Sequence, residues 1–265
     1  MGRLAGGETG AHEFTVGDGR RVVVKWDLDP SSQDARRRAV GLADRLRELA
    51  AWPVPRQRTI EADGYLFVIQ ELVAGAPVTV LTHSLVDALL ELHARRVGLE
   101  RPDDDSRWPE ALVETLTIGG NGYCRHDSMR QYDNRTAELV EHIEQIGHAV
   151  RADDFAGGDV VHWDLHPGNL LEVGGQLVAV IDTDFVTTGD AGFDLATLAV
   201  TSLTIQCEDG VRKRVCGLGL DALHQSRRQA YVGHLLIRFL DWSIRKRRVD
   251  DIEFWLGHAD RLLQT

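Results

Sequence analysis

Through the first seventy residues the apolar positions come in short, β-branched runs. RRVVVKW at 20–26 and GYLFVIQ at 64–70, bounded by Gly, Asp and Pro, predict two strands. Between them Ala39, Leu42, Leu46 and Leu49 recur at helical spacing and predict a helix over 35–49. The helix should stop at Pro53-Val54-Pro55, because proline lacks the N–H donor and pushes its predecessor out of the helical region. From residue 84 onward the period changes to 3.6. Ser84 with Asp87 resembles a capping box ahead of Leu85, Leu89 and Leu92 on one face. Leu139, Val140, Ile143 and Ile146 repeat the pattern, as do Val232, Leu235, Leu236, Phe239 and Leu240, and then Ile252, Trp255, Leu256, Ala259 and Leu262. Within this helical region LLEVGGQLVAVID sets two apolar runs around Gly174-Gly175, the signature of a two-residue hairpin. The acidic, proline-containing stretch 100–110 predicts a solvated loop. No internal repeat or low-complexity tract interrupts the chain.

A length of 265 residues is enough for a substantial core, as one two-lobed domain or two small ones. The formal net charge of −11 disfavours nucleic acid or an anionic membrane as partner and suits a cationic one. Cys124, Cys207 and Cys216 have no CxxC pairing and indicate neither a disulfide framework nor a Cys-rich zinc site. No apolar run reaches the roughly 20 residues of a membrane span and no signal segment is evident, so a cytoplasmic location is expected.

The chemistry concentrates in VVHWDLHPGNLLEV at 160–173 and VIDTDF at 180–185. An Asp, an Asn five positions on and a second Asp ending an apolar strand are the set that phosphoryl transfer from a magnesium nucleotide requires. One carboxylate receives a hydroxyl proton, while an amide oxygen and a second carboxylate hold the metal. Pro167-Gly168 lets the chain turn tightly so that Asn169 faces the same metal as Asp182. His162-x-Asp164-x-His166 could also be read as a zinc cluster, but the placement of Asn169 and Asp182 argues against it. Arg245-Lys246-Arg247-Arg248 lies on a helical pattern beside Asp250 and Asp251, which suits a solvated face better than a nucleic-acid site.

These motifs resemble the aminoglycoside phosphotransferase and choline kinase group, small-molecule kinases with the protein-kinase-like fold. HWDLHPGNLL followed by VIDTDF carries the likeness, GDAGFDLATL resembles the group's GDP-x-x-DLA segment, and RVVVKW matches its nucleotide-lysine strand. The resemblance implies an α+β, two-lobed fold, with a small antiparallel-sheet lobe over 1–73 and a larger helical lobe over 74–265. It also implies Asp164 as catalytic base, Asn169 and Asp182 as Mg2+ ligands, and Lys25 on the phosphates of ATP or GTP. Asp44, nineteen residues beyond Lys25 on the helix's polar side, is the expected partner of that lysine. Gly7, within Ala5-Gly6-Gly7-Glu8-Thr9-Gly10, would belong to the loop covering the phosphates. Glu71 and Val73 would offer backbone atoms to the adenine edge.

Two positions depart from the group: Trp163 stands where Gly is common, and Thr183 follows the metal Asp where an aromatic is frequent. Trp163 either shapes an acceptor pocket or packs. His166 either meets a carboxylate or phosphate, or is structural, and Asp194 is expected to brace the His162 region. The expected activity is transfer of a γ-phosphate to a hydroxyl of a small molecule, possibly cationic, such as an aminoglycoside or other antibiotic. Two other readings are a protein kinase, for which the chain lacks an APE-ended segment and the Arg before Asp164, and a regulatory pseudokinase, against which the intact Lys25, Asp164, Asn169 and Asp182 count.

Overall fold

In a computed structural model of the chain, residues 2–3, 11–27, 29–99, 107–120 and 122–264 are described. The β-branched runs do form strands: β1 (Gly2–Arg3), β2 (His12–Thr15), β3 (Arg21–Asp27), β4 (Gln57–Ala62) and β5 (Tyr65–Glu71). They pair antiparallel in the order β1-β2-β3-β5-β4, with Lys25 opposite Val68. Along β5 the side chains alternate strictly, burying Leu66, Val68 and Gln70 on one face, as the two-residue period of a pleated strand requires.

Helix α1 (Pro30–Leu49) joins β3 to β4. Its buried stripe is Ala39, Ala43 and Leu46, continued by Ala50, whereas Leu49 is 62 % exposed. The predicted stripe through Leu42 and Leu49 is therefore rotated, because small alanines allow the helix to lie close without projecting leucines. Beyond it Trp52 is buried, its indole N–H donating to the Leu92 carbonyl at 2.8 Å.

Strands β6 (Ala76–Pro77) and β7 (Val80–Leu81) precede helix α2 (His83–Arg96). The cap of α2 is Thr82, whose hydroxyl accepts from the Leu85 N–H; the expected cap at Ser84 already lies inside the first turn. Helices α3 (Trp108–Thr117), α4 (His126–Tyr132) and α5 (Asn134–His148) follow. Of the stretch expected as loop, 100–106 lies outside the described residues, and Trp108, Pro109 and Glu110 open α3, with Pro in the first turn where its missing N–H costs nothing.

Next come β8 (Asp159–Val161), β9 (Leu170–Val173), β10 (Gln176–Val180) and β11 (Thr187–Gly189). β9 and β10 are the predicted hairpin: Gln176 pairs with Val173, and Gly174 and Gly175 take φ of 60° and 79°, as a type I′ turn demands. Helix α6 (Gly192–Thr201), strand β12 (Gln206–Cys207) and helices α7 (Val211–Cys216), α8 (Gln225–Arg245) and α9 (Val249–Leu263) complete the chain. The fold is thus the expected α+β protein-kinase-like one, an antiparallel sheet followed by a predominantly helical remainder.

Two compact units emerge, both discontinuous in sequence: 1–99 with 160–187 and 205–211, and 100–159 with 188–204 and 212–265. This grouping does not follow a single cut after residue 73. The hairpin belongs with the sheet because β6 adds to β9 and the Val180 N–H donates to the Pro53 carbonyl at 3.0 Å. In the helical unit, Trp108 meets Phe193 edge-on at 5.7 Å and Phe193 meets Tyr231 at 5.2 Å, all three buried.

Candidate active site

Strand β8 runs into a loop held chiefly by backbone-directed bonds. His162, fully buried, shares a hydrogen bond between Nε2 and the Ile181 carbonyl at 3.0 Å, and its Nδ1 accepts from the Asp164 N–H at 3.3 Å. Through these two contacts the ring bridges the loop to the end of β10. Arg96 supports the same region from beneath. It is buried, stacks on Trp52 at 4.8 Å and donates to the Val160 carbonyl at 3.1 Å.

Asp164 and Asn169 are locked together by the turn between them. The Asn169 amide Nδ2 donates to the Asp164 carbonyl at 2.9 Å, and the Asn169 carbonyl accepts from the Ile181 N–H at 2.9 Å. That bond engages the amide nitrogen and leaves the Asn169 side-chain oxygen as the group's acceptor atom. His166 accepts the Gly168 N–H on Nδ1 at 3.0 Å, and its Nε2 stands 3.6 Å from the Asp164 carboxylate. That ring therefore serves the turn and also faces the candidate base.

Asp182 follows β10 in a left-handed conformation, φ 61° and ψ 54°, and Trp163 sits at φ 68°. The Gly common at the Trp163 position would adopt this region without strain. Lys25, buried on β3, donates to Asp182 at 2.6 Å and to Asp184 at 3.0 Å. Burial opposes the lysine's charge, but the two carboxylates outweigh it and hold its pKa above the usual value. Burial likewise pushes Asp182 up, and Lys25 reverses this, leaving its carboxyl below the ordinary range.

The Lys25–Asp44 pair expected from spacing is not formed. Asp44 bonds Arg47 one turn along α1 at 2.5 Å, the short-range partner winning over the distant one. From α1 it is Arg36 that reaches inward, to Asp184 at 3.1 Å and Asp27 at 3.6 Å. Thr183 is buried and exchanges a hydrogen bond with Gln57 of β4 at 3.2 Å. Gly7 and the rest of 5–10 lie outside the described residues.

At the end of β5 a cavity of about 610 Å³ is lined by Glu13, Arg21, Glu71, Val73 and Gly75, among others. The Glu71 N–H is taken by the Arg56 carbonyl at 2.9 Å and the Leu72 N–H by the Arg21 carbonyl at 3.3 Å. The Glu71 carbonyl and the Val73 peptide belong to residues that line this cavity.

A sequence profile of the phosphotransferase enzyme family matches residues 3–232. The chain belongs to the phosphotransferase enzyme family. No curated protein matches the sequence significantly. Among solved structures, aminoglycoside phosphotransferase APH(4)-Ia is similar at TM-score 0.67 and 19 % identity, over 99 % of this chain and 92 % of that one. The choline kinase LicA from Streptococcus pneumoniae gives 0.59 and 15 %, over 98 % and 92 %. A fructosamine-3-kinase homologue from Thermobifida fusca gives 0.60 and 18 %, over 100 % and 93 %. These likenesses agree in fold with the family match, and the resemblance read from HWDLHPGNLL and VIDTDF holds.

Within this phosphotransferase the residues absent from the sequence reading are Arg36, Arg96 and Asp184. Asp184 was visible two positions after Asp182, but nothing in spacing marks a carboxylate as the partner of a lysine 159 residues away.

Proposed function

We propose that the chain moves the γ-phosphate of ATP or GTP to a hydroxyl of a small molecule, with Asp164 as base. The observation that carries this is the convergence of Lys25, Asp164, Asn169 and Asp182 within one compact unit, joined by the bonds of Lys25 to Asp182 and of Asn169 to Asp164. Asp164 orients the acceptor oxygen in line with the γ-phosphorus and takes its proton late, since an alcohol is too weak an acid to be deprotonated early. Lys25 supplies a point charge to phosphate oxygens. His162 and Arg96 keep the loop in place, and His166 orders the turn that presents Asn169.

The Asn169 side-chain oxygen and the Asp182 carboxylate form an all-oxygen pair of hard donors. That pair fits Mg2+, which is held by few protein ligands and completes its shell with phosphate and water oxygens. Bound there, the ion would neutralise phosphate charge as the bond to the leaving group breaks. The Val73 N–H and the Glu71 carbonyl would meet the base edge, a reading supported by both residues lining the cavity at the end of β5.

Support for donor and acceptor classes comes from the neighbours: APH(4)-Ia is known in a ternary complex with ADP and hygromycin B, and amicoumacin kinase with AMP-PNP and Ca2+. Among the described residues no helix is long and apolar enough to cross a membrane. The net charge of −11 favours a cationic acceptor, drawn to carboxylates over a range of about 8 Å at physiological salt. The test is a screen for ADP or GDP release across aminoglycosides, other antibiotics, choline-like alcohols and sugars. No acceptor-dependent release with either nucleotide would refute the reading. For the best acceptor, kcat/KM should fall as ionic strength rises; an anionic or neutral best acceptor, insensitive to salt, would remove the cationic assignment alone.

A further inference from the structure

We propose that Asp184 is the carboxylate that positions Lys25 for the nucleotide phosphates, and that Arg36 of α1 holds Asp184 in place. The helix then acts on the lysine through an intervening acid rather than with an acid of its own. This rests on the phosphotransferase reading and names two further positioning residues for it.

Among the described residues Lys25 has two partners, Asp182 at 2.6 Å and Asp184 at 3.0 Å. They are not equivalent. The Asp182 side chain is 35 % exposed and is the one suited to a metal ion, a use that competes with the lysine. Asp184 is 8 % exposed and is gripped from the other side by Arg36 at 3.1 Å, itself 8 % exposed. A buried carboxylate between two buried cations is compensated only while both remain, so each member fixes the other two.

The segment bearing Asp184 is pinned as well. It lies in the short 3-10 turn Thr183–Phe185, with Gln57 of β4 on Thr183 and Arg36 of α1 on Asp184. Arg36 has a second anchor, Asp27 at the end of the lysine's own strand, at 3.6 Å. Strand, helix and turn therefore meet at one alternating chain of charges, Lys25 to Asp184 to Arg36 to Asp27. With Asp182 engaged by a metal, Asp184 would still offer Lys25 a counter-charge held in place by Arg36.

The test is calorimetry on the full chain with Mg-AMP-PNP, or Mg-GMP-PNP if the chain prefers guanine, against the matching nucleoside without phosphates. Asp184→Asn should weaken the magnesium nucleotide about tenfold or more, the size of a lost charge-assisted hydrogen bond, with nucleoside affinity within about twofold. Arg36→Met should weaken it in the same selective way, and the double variant should be no worse than Asp184→Asn alone, because Arg36 acts through Asp184. Asp44→Asn should change neither affinity. Unchanged nucleotide affinity in Asp184→Asn overturns the proposal, as do additive losses in the double variant. Equal weakening of nucleoside and nucleotide also overturns it, since that marks a merely structural role. Failure of the unaltered chain to bind either magnesium nucleotide would instead sink the phosphotransferase reading beneath it.

Discussion

Burial of His234 should make the protein lose stability as pH falls below about 6.5. The residue lies fully buried on α8, edge-on to the Phe193 ring at 5.3 Å, and burial, with the Arg238 charge adding to it, pushes its pKa down to about 3. In the unfolded chain the value is about 6.5. The sign follows from proton counts: above about pH 6.5 both states are neutral at this group and nothing is lost. Below it the unfolded state binds a proton that the folded state refuses until about pH 3, so stability falls as pH drops between those values. At pH 5 the loss relative to pH 7.5 is about 2 kcal/mol, from roughly 1.4 kcal/mol per unit beyond the unfolded pKa. Asp133, Glu144 and Asp182 have lowered values, so their contributions fall away only under more acidic conditions. Urea unfolding at pH 7.5 and pH 5 measures the difference. His234→Gln should remove most of it, and in the parent the imidazole resonances of His234 should not shift down to pH 5. An imidazole titrating near pH 6.5, or a His234→Gln chain losing as much stability as the parent, would refute the reasoning.

Asp164→Asn should lower kcat by roughly two to four powers of ten with nucleotide affinity nearly unchanged; steady-state turnover within a few fold of the parent would remove Asp164 as base. Asp182→Ala should weaken both rate and Mg-AMP-PNP binding, since a metal ligand serves both, and calorimetry showing full affinity would move the metal elsewhere. Gly189→Ala puts a Cβ 2.4 Å from Cε3 of the buried Trp108, so overpacking should destabilise the helical unit by about 1–3 kcal/mol. A melting temperature equal to the parent's would show that Trp108 can move aside.

Strands β3 and β5, the hairpin at Gly174-Gly175 and the long amphipathic helices were readable because each rests on a local rule of period or turn chemistry. The Asp164, Asn169 and Asp182 set was readable because its members lie within nineteen residues and the turn between them is encoded by Pro167-Gly168. What escaped depends on distant chain meeting. Asp44 was the natural partner for Lys25 by spacing, yet Arg47 is three residues away and takes it. Leu49 fitted the helical stripe of α1 and is exposed, because Ala43 and Ala50 carry the packing instead. Arg96 reads as the basic end of a helix until Trp52 and the Val160 carbonyl are brought against it.

Local rules also fail at two residues flanking the loop that carries Asp164 and Asn169. Trp163 and Asp182 both sit in the left-handed region, where a side chain costs of order 1 kcal/mol or more over glycine. Neither conformation would persist alone. Trp163 is held between His162 and Asp164, whose ring-to-backbone bond closes the turn, and His162 is tied in turn to the carbonyl just before Asp182. One buried imidazole thus spans both strained positions and ties the Asp164 backbone to the residue before Asp182. Asn169 repeats the connection through the Asp164 carbonyl and the Ile181 N–H. The strain is therefore offset by bonds that also fix the geometry, which is why a bulky Trp can stand where glycine would be easier and leave the arrangement of Asp164, Asn169 and Asp182 intact.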